Sequence, residues 1–115
     1  MNKQLVVEVI RGKGEGRKLG FPTANMVLRG EVTRGVYGGK VYFEGKEYKA
    51  GIFVHDQETI LEAHLLDFSG DLYGKILKVE TGEKLRDPIR FKNMEETRSR
   101  ITSDIEIIKK LLADN

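Results

Sequence analysis

The chain has 115 residues, a length that fits one domain, residues 1–115, with a single modest core. Hydrophobic residues make up 39% and charged residues 33%, which is a globular composition and excludes a disordered chain. The 20 Lys and Arg against 18 Asp and Glu give a net charge of +2, too balanced for the strongly basic stripe of a nucleic-acid binder. The absence of cysteine excludes disulfides and thiolate metal sites.

The N-terminal residues run directly into a strand-like segment and show no signal-peptide pattern. No stretch approaches the roughly 18 consecutive apolar residues of a membrane span. We therefore expect a cytoplasmic protein that does not bind membranes.

Short runs of alternating or β-branched residues, separated by glycines, predict a small all-β domain. The first run, 5–11, predicts a strand, and a loop rich in glycine, lysine and arginine follows from 12 to about 32. Glu44-Gly45-Lys46 is typical of a hairpin turn between two further strands. The strands predicted after the loop are 37–43, 47–54, 59–66 and 75–85, the last being a strand pair or a bent strand broken near Gly82.

The C-terminal segment changes from strand-like to helical periodicity. Asn93 is a candidate N-cap followed by acidic residues, and lysines near the end suit the helix dipole. We expect Met94 and the helix isoleucines to belong to the core, and the charges at 95–100 to face solvent. The apolar residues at helical spacing are Ile101, Ile105, Ile108 and Leu112.

The segment from 12 to 25 combines glycines with basic residues in a way that favours a phosphate-binding loop. Glycines let the backbone approach a ligand closely and point N–H groups at phosphates, and Arg17 and Lys18 can add cationic contacts. It is neither a GxGxxG fingerprint, because Arg17 replaces the third glycine, nor a Walker A motif. A flexible surface loop is the alternative. The glycines concerned are Gly12, Gly14, Gly16 and Gly20.

The sequence Pro22-Thr23-Ala24-Asn25 supplies two side-chain oxygens. On an extended segment, Thr23 and Asn25 point to the same side, and both oxygens suit Mg²⁺, which also binds substrate phosphates. A turn that starts at Pro22 and is stabilised by the Thr and Asn side chains is the alternative.

The run at 12–25 resembles the signature of the riboflavin kinase family, found alone in eukaryotes and as the C-terminal half of bacterial bifunctional enzymes. The resemblance continues in family order over nearly the whole chain. Its further elements are GVYGG at 35–39, LEAHLLDF at 61–68, DLYGK at 71–75, Leu85-Arg86-Asp87, Phe91 and Asp104-Ile105.

The resemblance implies a six-stranded antiparallel Greek-key β-barrel with a C-terminal α-helix. It implies Mg²⁺-dependent transfer of the γ-phosphate of ATP to the ribityl 5′-hydroxyl of riboflavin, giving FMN and ADP. We expect a monomer with no nucleic-acid partner.

The site residues follow from the same resemblance. Thr23 and Asn25 would hold Mg²⁺ and the nucleotide phosphates, which the glycines of the loop and Arg17 would cover. Glu62 would be the catalytic base, and Arg86 and Phe91 would bind the flavin. Without the resemblance, Glu62 would be read as a solvent-facing strand residue, and His64, on the same strand face, as a packing or hydrogen-bonding residue.

The sequence departs from the family pattern at 50–57. The family has Asn-Ile-Gly-x-x-Pro-Thr there, whereas this chain has AGIFVHDQ, which leaves the nucleotide preference open. The adenylyltransferase domain of the bifunctional enzymes is absent from these residues, so FAD synthesis is not expected. A catalytically inactive flavin- or nucleotide-binding module is the main alternative, and an RNA-binding barrel is another. Thr23, Asn25 and Glu62 together favour the kinase.

Overall fold

The structure is a computed structural model that describes residues 3–10, 24–27, 32–54, 60–68, 70–88 and 92–113. Within these ranges the chain forms six strands and one helix. The elements are β1 Lys3–Ile10, β2 Ala24–Val27, β3 Gly35–Phe43, β4 Lys46–Val54, β5 Ile60–Leu65, β6 Ile76–Arg86 and α1 Met94–Leu111.

The strands close into a barrel in the order β1-β2-β5-β4-β3-β6, and every neighbouring pair is antiparallel. Strands β3, β4 and β5 are adjacent in sequence and in space, and β6 returns to lie beside β3, which is a Greek-key arrangement. The barrel with its C-terminal helix confirms the predicted fold class.

The barrel interior holds the main core, because successive side chains of a strand point to opposite faces. A second, smaller cluster lies outside the barrel, where Val36 of β3 packs against Ile105 and Ile108 of α1. The fully buried side chains of the interior include Met26, Val41, Ile52, Val54, Leu61, Leu77 and Val79.

A glycine on β4 lets α1 lie close to the barrel. A Cβ on Gly51 would stand 3.0 Å from Cδ1 of Ile108 and 3.5 Å from Cδ1 of Ile105. The helix therefore seats its buried isoleucines directly on the strand backbone, in the space that a larger residue would fill.

The predictions for the helix are largely confirmed. Asn93 is the N-cap, and its side chain accepts a hydrogen bond of 2.8 Å from the backbone N–H of Glu96. The charged residues at 95, 96, 98 and 100 are exposed, and Ile105 and Ile108 are buried. Ile107 departs from the prediction that the helix isoleucines belong to the core, since it is 48% exposed. The prediction for Met94 is wrong: the residue is 55% exposed, because the helix packs on the barrel through its later turns, at Ile105 and Ile108.

The predicted loop at 12–32 needs one correction, since Ala24–Val27 forms β2. Ala24 and Met26 are buried and the whole strand pairs with β5, so pairing with the neighbouring strand creates β2 although Ala24 and Asn25 have weak strand preference. Residues 11–23 and 28–31 lie outside the described residues. The segment predicted as a strand pair or a bent strand is one strand, β6, which contains Gly82 and has register shifts against β3.

Among the described residues no helix is long and apolar enough to cross a membrane.

Candidate functional site

Two polar residues of the predicted site lie side by side on the outer face of the barrel. In the β2–β5 ladder, Asn25 is the Cα partner of Glu62, and both side chains are half-buried. Their neighbours Met26 and Leu61 are partners buried inside the barrel, so Asn25 and Glu62 point outward. Residues directly opposite each other in an antiparallel pair have Cβ atoms about 4.5–5.5 Å apart. The amide and the carboxylate can therefore act on one ligand.

The other cross-strand neighbour of Glu62 is Phe53 on β4. Phe53 is half-buried and packs against the cluster of Val36, Ile105 and Ile108 under the helix. Glu62 thus stands between an amide on one side and an aromatic ring on the other. A ligand with a charged and an apolar part matches this division.

The row of Cα partners continues from Phe53 to Val36 and from Val36 to Arg86, the last residue of β6. The Arg86 side chain does not stand free at the end of this row. Its Nε donates to Oδ1 and Oδ2 of Asp104 at 3.0 and 3.1 Å, its Nη2 donates to Oδ2 at 2.7 Å, and its Nη1 donates to the carbonyl of Asp87 at 3.0 Å. The predicted contact of Arg86 with flavin stays a prediction.

His64 lies two residues after Glu62 on the same outward face of β5, opposite Gly51. It is half-buried. This position agrees with its interpretation as a packing or hydrogen-bonding residue.

Several predicted site residues lie outside the described residues. They are Gly12, Gly14, Gly16, Arg17, Gly20, Thr23 and Phe91. Of the predicted set, the structure brings Asn25 and Glu62 together and places Arg86 at the helix. Sequence reasoning did not assign a role to Phe53, although its place between the apolar Ile52 and Val54 marks it as outward-facing under strand alternation.

The amide oxygen of Asn25 fits an Mg²⁺ ion shared with a substrate better than a metal held by protein ligands alone. Within the described ranges there is no group of three or more His, Asp or Glu side chains that could hold an ion. Mg²⁺ accepts a few protein oxygens, retains several waters and shares substrate phosphates. An amide oxygen on an accessible face therefore suits an ion that arrives with a phosphate ligand.

Clear pKa shifts occur further along β3, near the hairpin. Partial burial and the charge of Glu80 raise the pKa of Tyr42, whose hydroxyl donates to Glu80 Oε1 at 3.3 Å. The neighbouring Glu47 carboxylate raises the pKa of Lys40. These groups form a surface network away from Asn25 and Glu62.

Comparison with known proteins identifies the family of the chain. The family model described as flavokinase, riboflavin kinase, matches residues 2–112. The bifunctional riboflavin kinase/FMN adenylyltransferase of Haemophilus influenzae is 36% identical over 110 residues, which cover 88% of this chain and 36% of that protein. The Escherichia coli K12 protein of the same name is 36% identical over 105 residues, covering 84% of this chain and 34% of its own length.

Two further proteins that are similar to this chain carry other names. The trifunctional protein RibF/MnmA of Mycoplasmoides gallisepticum is 35% identical over 105 residues, 84% of this chain and 16% of that protein. A crystal structure described as a macrolide-efflux protein from Streptococcus pneumoniae superposes with a TM-score of 0.82 at 26% identity, covering 92% of this chain and 38% of that one.

The chain spans about a third or less of the length of these curated relatives. Nearly all of it matches the kinase family model, and the resemblance seen in the sequence is confirmed. The chain belongs to the riboflavin kinase family.

Proposed function

We propose that the chain transfers the γ-phosphate of ATP to the ribityl 5′-hydroxyl of riboflavin and releases FMN and ADP. The observation that carries this proposal is the placement of Glu62 between Asn25 and Phe53 on one accessible face. Phosphoryl transfer depends on positioning, charge neutralisation and an oriented nucleophile, and this face offers a group for each.

Glu62 is the general base in this proposal. Its carboxylate accepts the proton of the 5′-hydroxyl while the oxygen forms a bond to the γ-phosphorus. The bond from the γ-phosphorus to the bridging oxygen breaks, and the electron pair leaves with ADP. Glu62 lies at a position from which an alcohol can be reached on the outside of the barrel.

Asn25 binds the phosphate side of the reaction. Its amide oxygen, together with Thr23, would hold Mg²⁺, and the ion when bound would neutralise charge on the phosphates. Support comes from the adjacency of Asn25 to Glu62 and from the family match. We also propose that Arg17 and the glycines at 12, 14, 16 and 20 bind the nucleotide phosphates.

Phe53 marks the flavin side. The isoalloxazine ring is largely apolar, and Phe53 is the apolar neighbour of Glu62, with α1 packed behind it. An isoalloxazine ring beside Phe53 directs the ribityl chain toward Glu62. The 5′-hydroxyl at the end of that chain then lies near Glu62 and faces the phosphate side at Asn25. Phe91 and Arg86 are proposed to contribute to the same side.

We infer that the chain acts as a cytoplasmic monomer on small-molecule ligands, without nucleic acid or membrane. Asn25, Glu62 and Phe53 all come from one barrel, so the proposed chemistry needs no second copy. Size-exclusion chromatography with light scattering would give one chain's mass, about 13.1 kDa. A stable dimer would contradict this.

The test is incubation of the purified chain with riboflavin, Mg²⁺ and one of ATP, CTP or GTP, followed by chromatographic separation of FMN and FAD. We expect FMN with ATP, and no FAD. The departure from the family at 50–57 makes the comparison of nucleotides informative. If folded protein binds FMN tightly but produces none from any nucleotide, the chain is a binding module and the proposal fails.

A further inference from the structure

The ion pair between Arg86 and Asp104 joins the end of β6 to the middle of α1. Asp104 is only 2% exposed, so its charge is almost wholly removed from water. The planar guanidinium meets the carboxylate through both Nε and Nη2, and Nη1 is engaged by the Asp87 carbonyl. A forked contact of this kind fixes orientation as well as distance.

Both partners of the pair border the face that carries Glu62. Arg86 is the Cα partner of Val36, Val36 is the partner of Phe53, and Phe53 is the partner of Glu62. The helix side of the pair also adjoins this row. Ile105, the residue after Asp104, packs with Val36 and Ile108, and Phe53 packs against the same cluster. The pair therefore holds α1 against the two residues that lie between Arg86 and Glu62.

We propose that the Arg86–Asp104 ion pair is a positioning element of the flavin side of the site, and that Arg86 acts through Asp104 without touching the flavin. The inference rests on the proposed function, because it specifies how riboflavin is held beside Glu62. The ligand affected is the apolar ring system, since the pair sets the position of the helix behind Phe53.

Loss of the ion pair should affect riboflavin and not ATP, because Glu62 lies between the Phe53 side and the Asn25 side of the face. Asn25 lies across Glu62 from Phe53, on β2, and α1 packs on β3 and β4. A small displacement of the helix would change the Phe53 side and leave the strand that carries Asn25 in place. A misplacement on the order of 1 Å can cost a large factor in a positioned reaction.

The experiment is a double-mutant cycle of Arg86→Gln, Asp104→Asn and the double variant. KM is measured for riboflavin and for ATP, at a temperature at which circular dichroism shows each variant folded. We expect each single change to raise the riboflavin KM about tenfold while the ATP KM changes by less than about twofold, as for a loss confined to one subsite. The double variant should be no worse than Asp104→Asn alone, because both changes remove the Arg86–Asp104 contact and Asp104→Asn also removes the 3.9 Å ion pair with Arg100.

Two control variants separate positioning from stability and from charge. Val41→Ala removes a fully buried side chain on the inside of β3 and lowers stability, but it should leave the riboflavin KM unchanged. Arg98→Gln removes an exposed arginine of the same helix and should leave both KM values unchanged. If a single variant does not fold, the double variant still tests the proposal, since it leaves no buried charge unpaired.

Three results would overturn the inference. A higher riboflavin KM in Arg86→Gln with an unchanged value in Asp104→Asn would mean that Arg86 touches the flavin itself. Unchanged riboflavin KM in all folded variants would mean that the pair serves stability alone, and an equal rise for ATP would mean a general distortion. If the wild type makes no FMN, the proposed function fails instead, and the same cycle measured as riboflavin Kd by fluorescence quenching decides the positioning role.

Discussion

Asn25 and Glu62 stand directly opposite each other on β2 and β5, on the outside of a closed barrel. The interior of the barrel is filled by apolar side chains, so the accessible chemistry lies on its outer wall. Glu62 has an amide neighbour on one side and Phe53 on the other. In the proposed mechanism, this arrangement divides the face into a phosphate side and a flavin side, with the base between them.

Asn25→Ala is expected to raise the Mg²⁺ requirement of the reaction. Removal of one oxygen ligand should weaken the apparent Mg²⁺ affinity by roughly tenfold or more. The measurement is FMN formation as a function of Mg²⁺ at saturating riboflavin. Val27→Ala, on the same outward face of β2, is the matched control and should behave like the wild type. An unaltered metal dependence in Asn25→Ala would show that Asn25 is not near the ion.

Asp104→Asn is expected to destabilise the fold strongly. It would leave the Arg86 side chain, which is only 13% exposed, without its anionic partner, and such a change costs about 3–5 kcal/mol in buried pairs. Urea denaturation measures the loss of free energy of unfolding. The exposed pair of Lys109 and Glu106, 3.9 Å apart, is the contrast: Glu106→Gln should cost less than about 1 kcal/mol. Equal losses at the two positions would contradict this account of the buried pair.

Gly51→Ala should destabilise the packing of α1 on the barrel. The added Cβ would stand 3.0 Å from Cδ1 of Ile108, closer than ordinary contact, and overpacking of this kind costs about 1–3 kcal/mol. Ile108→Val removes that Cδ1 atom. The double variant should therefore lose less free energy of unfolding than the two single variants lose together, as measured by thermal or urea unfolding. Strict additivity would mean that the helix does not rest on Gly51.

Tyr42 should ionise at a higher pH than an ordinary tyrosine. Partial burial is the main cause, and the Glu80 carboxylate disfavours the phenolate further. Glu80→Gln removes the charge, so the pKa of Tyr42 should fall while remaining above its usual value. An ultraviolet absorbance titration of the wild type, Glu80→Gln and Tyr42→Phe isolates this tyrosine. A midpoint that does not move in Glu80→Gln would exclude the electrostatic contribution.

The sequence predicted elements that local signals define. The hairpin around Gly45 and the helix after Asn93 follow from a turn residue, an N-cap and helical periodicity, and both are present. The strand β2 was missed because Ala24 and Asn25 have weak strand preference, and their conformation depends on pairing with β1 and β5. Such long-range pairing leaves no periodic signal in a four-residue segment.

The candidate site shows the same limit. The side chain of Asn25 suggested a metal ligand and the family resemblance suggested that Glu62 is the base, but only closure of the barrel makes the two residues neighbours. The contact of Arg86 depends likewise on a helix residue, because its guanidinium binds Asp104, and strand patterns could not show that these two residues meet. Phe53 becomes part of the site through its register with Glu62.

The most direct test of the proposed mechanism compares the turnover of the wild type, Glu62→Gln and Glu83→Gln, with riboflavin affinity measured in parallel by fluorescence quenching. Glu83 is exposed on β6 and serves as the matched control. A positioned general base contributes roughly 10²–10⁴-fold, so FMN formation should fall at least about a hundredfold in Glu62→Gln alone, with riboflavin Kd nearly unchanged. Turnover of Glu62→Gln equal to that of the wild type would contradict the assignment of Glu62 as the base.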